Sequence, residues 1–119
     1  MAYVCTNPEK YDGKVVDNGQ CVRFVQVAAN VPHTSSWTQG EHVKESSYIS
    51  PGTALATFIN GSYPNNDHGN HAAIYVSHDA TGIKVWDQWK GKAVSTRTIR
   101  YKEGDGDPSN DGDFFYVIE

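Results

Sequence analysis

At 119 residues the chain has the length of one domain, read here as a single unit over residues 1–119. Hydrophobic residues at 38% and 11 glycines suit a loop-rich globular core. A formal net charge of −4, with Lys and Arg scattered along the chain, argues against nucleic acid or an anionic lipid surface as partner. No apolar run nears the roughly 20 residues of a membrane helix, so no membrane insertion is expected.

The start, Met-Ala-Tyr-Val-Cys-Thr-Asn-Pro, lacks a basic segment followed by an apolar one, so no signal peptide is read there. Residues 1–18 read as an irregular lead-in with turns at Asn7-Pro8 and Asp12-Gly13. A helix is expected from near Asn18-Gly19-Gln20, because Cys21, Phe24, Val25 and Ala28 fall on one helical face. Asn30-Val31-Pro32 ends it, since the residue before proline disfavours helical dihedrals.

Residues 33–52 read as a long loop with a short helical turn around Gln39–Lys44. A strand over Thr53–Phe58 follows Ser50-Pro51-Gly52, and Asn60 to Asn70 is turn material. Further strands are expected over His71–Ser77, Ile83–Trp89, Val94–Tyr101 and Phe114–Ile118, with Ala80-Thr81-Gly82 as a hairpin. The sum is α+β: one helix followed by an antiparallel meander of about five strands.

Three segments carry candidate chemistry. Gly19-Gln20-Cys21-Val22-Arg23-Phe24-Val25 puts a cysteine in the first turn of the expected helix. Unpaired backbone N–H groups and the helix dipole favour a thiolate there and can also bind an oxyanion. The bland alternative is a small buried hydrophobe. Gly69-Asn70-His71-Ala72-Ala73 places His71 at the start of a strand, with small neighbours that let a helix terminus approach. In Ile83-Lys84-Val85-Trp86-Asp87-Gln88-Trp89, Asp87 shares a face with Ile83 and Val85, whereas Gln88 points the other way with Trp86. Asp87 is the preferred residue to hold the far nitrogen of His71, with Gln88 and a backbone carbonyl as the other choices.

In this order the three segments resemble the NlpC/P60 and CHAP superfamily of papain-like peptidoglycan amidases and endopeptidases. The likeness covers roughly Tyr11 to Tyr101 and is specific only when all three are taken together. The chain resembles most the small type VI secretion amidase effectors, and among them the second family. Gly52-Thr53-Ala54-Leu55-Ala56-Thr57-Phe58, Tyr63-Pro64-Asn65, Gly69-Asn70-His71-Ala72-Ala73 and Asp87-Gln88-Trp89 carry that likeness. The resemblance implies a papain-like fold with the Cys21 helix packed on the sheet, and a catalytic set of Cys21, His71 and Asp87. It implies synthesis without a signal peptide, export by the type VI secretion machinery and action in a target bacterium's periplasm. Its partners would be a peptidoglycan peptide substrate and a cognate immunity protein. The implied bond is the D-alanine–diaminopimelate crosslink, whereas superfamily relatives cut γ-D-glutamyl–diaminopimelate. A phage or housekeeping wall hydrolase, a non-catalytic wall-binding module and a protein-directed deamidase or transglutaminase are the competing readings.

The loops Pro32–Pro51 and Asn60–Asn70 are expected to border the substrate groove, with Gln20, Trp37, Tyr48, Asn70 and Gln88 as lining residues. No cofactor or metal is expected. Cys5 and Cys21 form no Cys-x-x-Cys pair, and His33, His42, His68 and His78 are spread among loops. The acidic stretch Asp105–Asp113 fails the EF-hand register from either start and reads as a solvated turn. Cys5 is either a buried thiol, the favoured reading, or a partner that would silence Cys21.

Overall fold

A computed structural model describes residues 1–66 and 68–119; Asp67, within the turn read over Asn60–Asn70, lies outside the described residues. Among the described residues one α-helix, α1 (Cys21–Ala29), packs on a six-stranded sheet. The strands are β1 (Gln39–His42), β2 (Ala54–Thr57), β3 (Ala72–His78), β4 (Gly82–Trp89), β5 (Lys92–Arg100) and β6 (Phe115–Ile118). Their order is β1-β6-β2-β3-β4-β5, and every paired neighbour is antiparallel.

The helical turn expected around Gln39–Lys44 is instead β1, which makes six strands rather than about five. It pairs with the last strand, Gln39 opposite Ile118 and His42 opposite Tyr116. Thr38 and Glu119 add two reciprocal backbone hydrogen bonds just beyond it. The segment Gln-Gly-Glu-His has no helical periodicity, so the edge partner decides its conformation.

The middle of the sheet is buried on both faces, which explains why β2 and the first half of β3 read as unbroken apolar runs. On one face α1 seats Phe24, Val25 and Ala29 on Ala54, Ala56, Ala72, Ile74 and Val94. The alanines leave room for the helix to lie close. The other face gathers Leu55, Ala73, Tyr75, Val85, Ile99 and Phe115 under Val43 and Ile49 of the long loop.

α1 begins at Cys21 after Gln20 in extended backbone, and Asn30 in the left-handed region (φ 58°) closes it. Cys5 and Cys21 are both free thiols, and Cys5 is buried. In the acidic stretch, Asp111 accepts from the backbone N–H groups of Lys102, Gly104 and Asp113, so its carboxylate organises a turn.

Candidate active site

The N-terminus of the helix and the entry to β3 meet at Cys21 and His71. Each is preceded two positions earlier by a glycine with positive φ, Gly19 at 85° and Gly69 at 85°. Both turns need a backbone that L side chains rarely adopt, and they aim the next element's first residue at the other. His71 is fixed at its backbone as well: its N–H donates to Thr57 Oγ1 (3.0 Å) and its carbonyl accepts from Thr57 N (3.0 Å).

The ring of His71 is held at Nε2 by Asp87 Oδ2, 2.8 Å away, in a fully buried contact. That leaves Nδ1 for Cys21, whose side chain lies near enough to favour the protonated ring. Asp87 lies on β4 on the face of Val85 and Ile83, as the alternation required. A bulge between Tyr75 and Ser77 shifts the β3–β4 register towards the hairpin, but Ile74 still faces Trp86, so the Asp87 end is unaffected.

Two cations from β5 share the Asp87 carboxylate. Arg97 donates from Nε to Oδ2 (2.7 Å), and Lys92 donates from Nζ to Oδ1 (3.0 Å) and to the backbone carbonyl (2.8 Å). Burial pushes the carboxyl up, but His71, Arg97 and Lys92 outweigh it and hold Asp87 at about 2. The carboxylate is therefore ionised at any physiological pH.

The same opposition sets the dyad. Burial raises the Cys21 thiol, yet the hydrogen bond and charge of His71, with N–H groups of Ala72 and Val22 on the sulfur, bring it below its ordinary value. Burial lowers His71, yet Asp87 and Cys21 together raise it. Both directions favour a thiolate–imidazolium pair.

Cys21 and His71 open onto a cavity of about 590 Å³. Gln20, Val22, Arg23, Tyr63, Asn70, Trp89, Arg97 and Asn110 line it, with other residues of the 65–70 and 107–110 loops. Gln20 and Asn70 thus stand where the groove expectation puts them. Trp37, Tyr48 and Gln88 do not. Trp37 is buried against Tyr63 (ring centroids 4.7 Å apart), its Nε1 donating to Pro32 O. Its indole packs better as core than as a wall of the groove. Tyr48 projects into solvent away from the cavity. Gln88 is fully buried and accepts from Val16 N, while its amide donates to the carbonyls of Val16 and Gln20 (all 2.9 Å). It builds the turn before the helix. Of the two loops expected at the groove, 60–70 borders the cavity; His33 and Thr34 of the other border a shallower hollow that shares Val22, Arg23 and Asn65 with it.

Four contributors went unread in the sequence: Tyr63, Trp89, Lys92 and Arg97. The Tyr63 hydroxyl contacts Cys21 and accepts from Asn70 Nδ2 at 3.2 Å. Burial first, then the Cys21 charge, pushes its phenol well above the usual range, so it stays a donor. Trp89 packs edge-on to His71 (6.2 Å) and carries Lys92 and Arg97 over its ring at 4.7 and 5.0 Å. The Asp-Gln-Trp segment drew attention to Trp89 without a role, whereas Lys92 and Arg97 become neighbours of Asp87 only through β4–β5 pairing.

Comparison with known proteins places the chain among relatives of like length. Residues 1–118 match the family described as domesticated amidase effector 2. The type VI secretion amidase effector 2 protein of Salmonella typhi is 41% identical over 96% of this chain and 90% of its own. The domesticated amidase effector 2 of Ixodes scapularis is 39% identical over 97% of this chain and 83% of its own. A solved structure of type 6 secretion amidase effector 2 is 39% identical and superposes with a TM-score of 0.89, covering 98% of this chain and 94% of the other.

Proposed function

The chain belongs to the domesticated amidase effector 2 family, and from that premise we propose that it is a cysteine amidase cutting peptidoglycan peptide bonds. The observation that carries this is the His71 ring, bound at Nε2 by buried Asp87 and turned at Nδ1 to a cysteine at a helix start that opens on a cavity. In the proposed mechanism the Cys21 thiolate attacks the scissile carbonyl, and the carbonyl electron pair moves to oxygen. The Cys21 N–H, which has no intrahelical acceptor at the first helical position, and the Tyr63 hydroxyl are the donors beside that oxyanion. The intermediate collapses, the C–N bond breaks, and imidazolium His71 gives its proton to the leaving amine. Water then hydrolyses the thioester, with His71 taking the water's proton. Asp87 stays ionised throughout and keeps the ring aligned.

The bond favoured is the D-alanine–diaminopimelate crosslink. Delivery by a type VI secretion machine into another bacterium's periplasm, and a cognate immunity protein that covers the cavity in the producing cell, belong to the same reading. The test is incubation with purified peptidoglycan and mass analysis of the released fragments. Crosslinked dimers should fall to monomers with new D-alanine carboxyl termini, and Cys21→Ala should release none. Fragments ending elsewhere would move the bond; no fragments would sink the amidase reading.

A further inference from the structure

We propose that Arg97 recognises a carboxylate on the leaving-amine side of the scissile bond, so that the site selects amides whose nitrogen sits on a carbon bearing a free carboxylate. This rests on the amidase reading above and names the substrate feature it would require. The guanidinium lines the cavity and is one carboxylate away from the imidazole: Arg97 Nε donates to the same Asp87 oxygen that accepts from His71 Nε2. Because His71 delivers its proton to the departing nitrogen, the amine leaves along the ring. Arg97 lines the cavity into which it departs.

The local charge also fits an anion. Cys21 and His71 together are neutral in either protonation state, whereas the single Asp87 carboxylate meets both Lys92 and Arg97. Two cations thus meet one carboxylate beside the reacting atoms, and Asp107, which also lines the cavity, already accepts from the N–H and hydroxyl of Ser109. Arg23, which also lines the cavity, spends both terminal nitrogens, Nη2 on Asp17 (2.9 Å) and Nη1 on Gln26 (2.6 Å), whereas Arg97 spends Nε and Nη1 on its partners. Arg97 is held in one pose by Asp87, by Asn110 Oδ1 (3.0 Å from Nη1) and by the Trp89 ring. A fork so fixed binds a planar carboxylate with little ordering left to do. In the D-alanine–diaminopimelate crosslink the nitrogen sits on a carbon with a free carboxylate. In γ-D-glutamyl–diaminopimelate of a stem tetrapeptide, that neighbouring carboxyl is spent in the next amide.

Paired crosslinked muropeptides that differ only in carrying a free carboxylate or a carboxamide on the diaminopimelate carbon next to the scissile nitrogen provide the test. Wild type should prefer the carboxylate roughly ten- to a hundredfold in kcat/KM. Arg97→Gln should bring the ratio close to one, and Arg97→Lys should leave an intermediate ratio should the glutamine variant not fold. Lys92 holds Asp87 without lining the cavity, so Lys92→Gln should slow both substrates and keep the ratio. An unchanged ratio in both Arg97 variants, or no preference in wild type, would overturn the proposal while leaving the amidase reading intact. Cleavage of neither peptide by wild type would overturn the amidase reading itself.

Discussion

The side-chain amide of Gln88 donates to the carbonyl of Gln20 at 2.9 Å, tying the strand that bears Asp87 to the residue before Cys21. The same amide bonds both backbone groups of Val16, so one buried side chain closes the turn from which the helix starts. Gln88→Leu would leave the Val16 N–H without its acceptor, while the Val16 and Gln20 carbonyls keep the N–H groups of Gly19 and Phe24. A loss of about 1–3 kcal/mol in unfolding free energy is expected by urea denaturation. Turnover of the remaining folded enzyme should fall less than in Asp87→Asn.

Asp87→Asn keeps the shape but loses the charge that favours imidazolium and fixes its tautomer. A drop in kcat of roughly a hundred- to ten-thousandfold is expected, with KM little changed. The stability link has a definite sign. Folding holds this carboxyl at about 2 against an ordinary 3.8, so its contribution is complete above the ordinary value and fades as pH falls towards 2. The shift corresponds to about 2 kcal/mol. Unfolding of wild type should therefore weaken between about pH 4 and 2 more steeply than that of Asp87→Asn; parallel curves would show that the shift is not there.

How much of this was legible depended on whether a signal was local. Cys21, His71 and Asp87 could be read because helix phase and strand alternation fix which way each points relative to its neighbours. Trp37 and Tyr48 were misread as groove because an aromatic in a long loop carries no mark of which side it packs on; contact with Tyr63 decides it for Trp37. β1 was hidden because its only reason to be a strand is a partner 76 or so residues away, at Tyr116–Ile118. Lys92 and Arg97 looked like solvated charges of an alternating strand until the β4–β5 register set Asp87 opposite Ser95, between them.

Tyr63→Phe removes a hydroxyl that touches Cys21 and Asn70 without disturbing the packing on Trp37. If that hydroxyl donates to the oxyanion, kcat should fall roughly ten- to a hundredfold while KM and the unfolding midpoint stay near wild type. Steady-state kinetics on a soluble crosslinked muropeptide separates the two. A rise in KM alone would assign Tyr63 to substrate binding.

The last prediction concerns the protonation state of the dyad before substrate arrives. Cys21 is lowered and His71 raised, each chiefly against its own burial, so the free enzyme should rest as thiolate and imidazolium near neutral pH. Alkylation by iodoacetamide reports the thiolate directly. In a Cys5→Ala background, which removes the second thiol and should cost only about 1 kcal/mol of stability, Cys21 is the remaining target. Its alkylation should stay fast as pH falls well below the ordinary thiol range, then drop once the proton returns to sulfur. His71→Ala removes the partner and leaves burial in charge, so the midpoint should move up past the ordinary thiol value. The profile of kcat/KM should be a bell whose acid limb is protonation of the pair and whose alkaline limb is loss of the imidazolium proton that the leaving amine needs. Both limbs belong to the coupled pair, so Asp87→Asn should draw the alkaline limb down to lower pH. An alkylation midpoint unmoved by His71→Ala would show that the ring and the sulfur do not titrate together.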